Sequence, residues 1–152
     1  MALEEMGNAA EVLVLLTVAL TLVYLTVRMR RSVKYRCAVG LALAGAFILV
    51  WMNLAVGIIG EPENLANLMY VGVPAVGIIG AVIARFRPEG MVRALFATAL
   101  AQAFVGVITA LAGLGAPVTP LRSLLILNGI FIVLWVGSAW LFQKSTRNRS
   151  EA

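Results

Sequence analysis

The sequence predicts an all-α protein, a polytopic membrane bundle of five transmembrane helices, on three observations. Hydrophobic residues fill 62% of the 152 positions and charged residues only 12%, far from the roughly half apolar and quarter charged mix of a water-soluble domain. The mean hydropathy of +0.99 says the same of the chain as a whole. The apolar residues also gather into five stretches of about 20 residues, the length a helix needs to cross about 30 Å of hydrocarbon. Short polar breaks separate them, so residues 1–152 read as one transmembrane domain with no room for a soluble one.

The first stretch runs from about Glu11 to Val27 and is halted by Arg28, Arg30, Arg31, Lys34 and Arg36. Glu4, Glu5 and Glu11 precede it and the basic cluster comes after it. A cleaved signal peptide has the opposite order, so an uncleaved segment with its N-terminus outside is expected. The second stretch, about 37–60, ends at Glu61-Pro62-Glu63-Asn64, where proline and paired carboxylates do not belong in hydrocarbon. The third, about 65–84, stops at Arg85-Phe86-Arg87-Pro88-Glu89-Gly90. The fourth, about 91–113, gives way to Gly115-Ala116-Pro117-Val118-Thr119-Pro120, a turn by its glycine and prolines. The fifth, about 121–142, closes at Gln143, Lys144, Arg147 and Arg149.

Counting basic residues orients the bundle. With the N-terminus outside, eleven of the twelve lie on the cytoplasmic side: the five after the first stretch, then Arg85, Arg87 and Arg93, then Lys144, Arg147 and Arg149. Only Arg122 lies outside. A multi-pass protein of the bacterial inner membrane with a cytoplasmic C-terminus is expected. The alternative is a four-helix core with the first stretch packed peripherally, which leaves the other four orientations unchanged. The net charge of +5 sits in clusters beside apolar stretches and not along an exposed face, which argues against nucleic acid. Arg28, Arg30, Arg31, Lys34, Arg36, Arg85, Arg87 and Arg93 are candidate contacts for anionic lipid headgroups. One internal repeat stands out: Ala55-Val56-Gly57-Ile58-Ile59-Gly60 recurs letter for letter as Ala75-Val76-Gly77-Ile78-Ile79-Gly80. Six residues fall short of the half-to-half correspondence of an inverted-repeat transporter, and the plainer reading is close helix packing.

Absence is the main chemical signal. The chain has no histidine and no aspartate, which removes histidine haem ligation, the Ser-His-Asp triad and histidine-containing zinc sites. One cysteine, Cys37, allows no disulfide within the chain. No enzyme activity, metal or cofactor is expected. The candidate site is a layer of intramembrane amides, Asn53, Gln102 and Asn128, because an unpaired amide in lipid costs several kcal/mol and must face protein or trapped water. Counted from helix midpoints, Asn53 and Asn128 share a depth in the outer half and Gln102 lies near the centre. Pro74 removes the hydrogen bond to the Tyr70 carbonyl and is a candidate kink. Tyr24, Tyr35, Tyr70 and Trp140 read as interfacial anchors, with Trp51 and Trp135 deeper.

The tract Trp51-Met52-Asn53-Leu54-Ala55-Val56-Gly57-Ile58-Ile59-Gly60, followed by Glu63-Asn64, Ala66-Asn67 and Leu68-Met69-Tyr70, resembles one found in small bacterial inner-membrane proteins with no assigned function. The resemblance covers about residues 36–113. It implies a four-helix core to which the first helix was added, and carries no activity. Two readings of function remain. One is a structural or accessory subunit packing against itself or a larger membrane complex, supported by small residues on more than one face: Gly72, Gly77, Ala97, Ala99, Ala101, Ala103 and Gly106. The other is a small channel or carrier for a neutral or weakly polar solute, supported by the three amides and Pro74.

Overall fold

The computed structural model describes residues 32–60, 65–115 and 119–150, together with Val14, Thr17, Val18, Leu20, Thr21, Val23 and Tyr24. Its elements are α1 (Val33–Ala55), a 3₁₀ turn (Leu65–Asn67) leading into α2 (Leu68–Ile83), α3 (Pro88–Leu111) and α4 (Leu121–Ser150). Four segments among the described residues are long and apolar enough to cross a membrane: Val33–Ala55, Leu65–Ile83, Pro88–Leu111 and Leu121–Thr146. The expected fifth, at about 11–27, lies outside the described residues except at the seven N-terminal positions, so the count here is four and not five. Arg28, Arg30 and Arg31 lie outside them as well.

The helix ends differ from the apolar boundaries for local reasons. α1 starts four residues before the apolar stretch because Ser32 caps it, its hydroxyl accepting from the Tyr35 amide at 3.4 Å. Lys34 and Arg36 therefore belong to the first turn of the helix. α1 ends at Ala55, not Gly60, because Gly57 takes φ +75° and turns its amide back onto the Met52 carbonyl at 3.1 Å. Gly60, at φ +69°, completes the departure. α3 begins with Pro88, whose missing N–H is no loss in a first turn. α4 runs on past the apolar stretch to Ser150 because nothing in Gln143-Lys144-Ser145-Thr146 breaks a helix.

α4 is central, packed against α1 on one side and most extensively against α3 on the other. α2 leans on α3 and barely touches α1. Each interface is set by small residues. A Cβ on Gly45 of α1 would stand 3.4 Å from the Trp135 ring of α4, and the Ser138 hydroxyl donates to the Ala38 carbonyl at 2.7 Å. A Cβ on Gly80 of α2 would lie 2.7 Å from Ala94 Cβ of α3, closer than two carbons ever rest. The result is direct backbone approach between α2 and α3.

Both ends of the bundle are tied by polar contacts. At one end the Asn67 side chain accepts from the Ile58 and Ile59 amides at 3.1 and 2.8 Å, and the Gly60 amide donates to Thr119 Oγ1 at 3.0 Å. At the other, the α2–α3 turn places Arg85 and Phe86 in the left-handed region, at φ +50° and +55°. A bulky residue there stores strain that its surroundings must hold. The hold is Tyr35, whose hydroxyl donates to the Phe86 carbonyl at 2.7 Å while its ring meets Phe142 edge-on.

Two aromatic residues differ from their sequence reading. Tyr35 and Tyr70 are not interfacial anchors; they are buried, 2% and 1% exposed. Of the two tryptophans expected deeper, Trp51 is half exposed and Trp135 is buried, a difference of side and not of depth. A residue count gives depth along a helix and says nothing of azimuth. Trp140 is exposed and carries the Lys144 ammonium 3.6 Å from its ring centroid, a cation–π pair at the end of the apolar segment.

Candidate functional site

The intramembrane polar groups lie on several helices. Gln102 is on the buried face of α3, and its Nε2 donates to Asn128 Oδ1 of α4 at 2.8 Å. Asn128 Nδ2 donates to the Tyr70 hydroxyl of α2 at 2.8 Å and to the Leu124 carbonyl one turn back at 2.9 Å. Asn128 is thus satisfied on both ends of its amide and joins α2, α3 and α4. Gly106 makes room for it, since a Cβ there would fall 2.8 Å from the Asn128 side chain.

Asn53, on α1, stands apart from that chain of bonds. It is buried, yet its Oδ1 has no hydrogen-bond partner among the described residues. Because α1 ends at Ala55 and not Gly60, Asn53 lies about 7.5 Å nearer the helix end than the sequence arithmetic assumes. Gln102 Oε1 and Trp135 Nε1 are also buried without partners among the described residues. Pro74 is buried inside α2, whose helical course runs unbroken from Leu68 to Ile83. Of the candidate headgroup contacts, Arg85, Arg87 and Arg93 lie on the surface and Arg36 is half-buried.

Tyr70 is the member that sequence reasoning missed. It sits near the start of its helix, where a tyrosine is ordinarily an anchor, and only its partner's position on α4 reveals its role. Asn67 has no role in the sequence reading beyond the resembling tract, although an asparagine just before a helix is a familiar acceptor for turn amides.

Two cavities among the described residues are not lined by these amides. One, of about 280 Å³, lies between α1 and α2 against α3 and α4 and is almost wholly apolar. A second, of about 260 Å³, lies between α1 and Thr17, Leu20, Thr21 and Tyr24. The arrangement defines a membrane helix bundle whose central amides cross-link helices. No family, curated protein or solved structure matches this chain. That outcome neither strengthens nor weakens the resemblance carried by the Trp51–Tyr70 tract.

The different bonding of the two asparagines has a measurable consequence. Asn128→Leu strands Gln102 and Tyr70 and is expected to cost about 1–2 kcal/mol, the upper range for polar contacts between membrane helices. Asn53→Leu removes an unpartnered acceptor and is expected to be neutral or stabilising. Unfolding titrations in mixed detergent micelles compare the two, and equal losses would contradict the assignment.

Proposed function

We propose that the chain is a non-enzymatic protein of the bacterial inner membrane that serves as a structural or accessory subunit, within a homo-oligomer or a larger membrane complex. Its first stretch is a fifth span, with the N-terminus outside and the C-terminus in the cytoplasm. The observation that carries the subunit reading is the outward face of α2. Gly72 is exposed there, and a Cβ on it would meet nothing within 4 Å. Gly129 on α4 is in the same position. A mid-helix glycine costs about 1 kcal/mol against alanine. Packing among the described residues gives no return for that cost at either position, and lipid tails need no gap. Close approach by another protein surface does. Ala97 is exposed too, whereas Ala99 and Gly106 are buried and serve the chain's own packing.

The test is particle mass in nanodiscs and in mild detergent for the wild type, Gly72→Leu and Gly129→Leu, with purification from native membrane alongside. Assembly or co-purifying subunits are expected for the wild type and their loss in a variant. A monomer throughout, with no partner recovered, would remove the proposal. Orientation is checked separately. Cys37 is exposed at the basic end of α1, and an impermeant thiol reagent added outside intact cells is expected to miss it while labelling a cysteine placed at Asn64.

A channel or carrier for a small neutral solute is the second reading, favoured by the unpartnered acceptors on Gln102 and Asn53. Solute-driven shrinkage and swelling of proteoliposomes, abolished by Asn53→Leu with Asn128→Leu in a folded protein, would support it over the subunit role.

A further inference from the structure

We infer that the cleft between α1 and α2 is a binding site for one anionic phospholipid, its acyl chain in the cleft and its phosphate at the Arg36, Arg85 and Arg87 end. The cavity there measures about 280 Å³ and is lined by Ala42 and Ala46 of α1, Gly77 and Ala81 of α2, Leu95 of α3 and Trp135 of α4. That is about twice the volume of an apolar cavity that stays dry and takes up benzene. It suits a length of hydrocarbon chain. The one hydroxyl in the lining, on Thr98, already donates to the Ala94 carbonyl at 2.8 Å, so the wall offers a ligand nothing polar from that side chain. α1 and α2 make few contacts with each other, and among the described residues Leu20 and Val23 also line the cleft.

Charge selects the lipid class. Phe86 and Val39 line the cleft at its basic end. Arg85 and Arg87 flank Phe86 in sequence, and Arg36 stands one helical turn before Val39. The bond from the Tyr35 hydroxyl to the Phe86 carbonyl, at 2.7 Å, fastens these two basic segments to each other. Arg36 Nε is buried and has no partner among the described residues. A phosphate at the mouth of the cleft would draw on the charge of the half-buried Arg36 guanidinium, with the exposed Arg85 and Arg87 adding attraction. A zwitterionic headgroup gains less, because its own ammonium offsets the phosphate.

The inference goes beyond the subunit proposal and rests only on the chain's lying in a membrane, so particle mass does not bear on it. The experiment is native mass spectrometry of the full chain, released from nanodiscs holding equal phosphatidylglycerol and phosphatidylcholine. One phosphatidylglycerol per chain is expected to survive mild activation. Ala46→Phe, which fills the cleft, is expected to lower its retention about tenfold, from the loss of a few buried methylenes. Arg36→Gln is expected to lower it about fivefold, and Arg122→Gln, at the opposite end, to leave it unchanged. Ala42→Leu is a milder plug should the phenylalanine variant fail to fold, as judged by circular dichroism. Equal retention of the two lipids, or undiminished retention in a folded plug variant, would overturn the inference. So would a folded wild type that holds no lipid, the result expected if the chain's own N-terminal stretch fills the cleft.

Discussion

Asn67→Ala is expected to destabilise the protein more than any other single side-chain truncation among the polar residues. The Asn67 Oδ1 is the shared acceptor for the amides of Ile58 and Ile59, both buried at 3% and 0% exposed. Those amides belong to a turn after α1 and have no helical partner. Truncation strands two buried backbone donors, at about 1–3 kcal/mol each, so a loss of about 2–6 kcal/mol is expected. Asn67→Asp keeps an acceptor in place and is expected to recover most of that stability. Thr119→Val removes the bond from the part-buried Gly60 amide and is expected to cost less, about 1 kcal/mol. Unfolding titrations give the ranking, and hydrogen exchange at Ile58 and Ile59 locates the effect. An alanine variant that unfolds like the wild type, with both amides still protected, would sink the assignment.

The fold class is legible in the sequence because it depends on composition and length, which the solvent enforces on every residue at once. The stops are legible for the same reason: clusters of charge and proline-rich turns leave hydrocarbon, although a lone proline such as Pro74 stays inside a span. Azimuth is not legible. Tyr35 and Tyr70 are assigned sensible depths and the wrong sides, since helices with apolar residues on every face give no stripe by which to tell lipid from protein. Of the amide site, Gln102 and Asn128 are legible as residues needing partners. Their bonding to Tyr70 is not, because the pairing is set by how α2, α3 and α4 are brought together across 58 positions of sequence.

The hexapeptide repeat shows the limit most plainly. In its second copy, Gly77 and Gly80 are helical and bring α2 against Thr98 and Ala94. In its first, Gly57 and Gly60 take positive φ and the same six letters form a turn, with both isoleucines turned inward. Glycine is permissive enough for either outcome. The residues C-terminal to each copy decide between them. The first copy runs into Glu61-Pro62-Glu63 and has Asn67 to receive its free amides, while the second runs on through Ala81-Val82-Ile83. The expectation of close helix packing describes the second copy and fails for the first.

Gly80→Ala is the second change expected to act strongly, although it adds a single methyl group. The new Cβ would stand 2.7 Å from Ala94 Cβ and 3.2 Å from Ala94 Cα. Carbons in contact rest about 3.5–4.0 Å apart, so α2 must move from α3 by about 1 Å. No flexible side chain is present to yield, because the obstacle is backbone and its first carbon. Overpacking of this kind costs about 1–3 kcal/mol, partly offset by the better helix propensity of alanine. Gly137→Ala in α4, whose new Cβ would meet only Leu41 Cδ2 at an ordinary 3.7 Å, carries little but the propensity gain and serves as the control. The decisive comparison is the exchange Gly80→Ala with Ala94→Gly, which returns the missing space from the other side. If the contact is the cause, the double variant is expected to be more stable than the two single losses predict, by about 0.5–3 kcal/mol of coupling. Strict additivity in unfolding titrations would mean that α2 and α3 do not meet at these two residues.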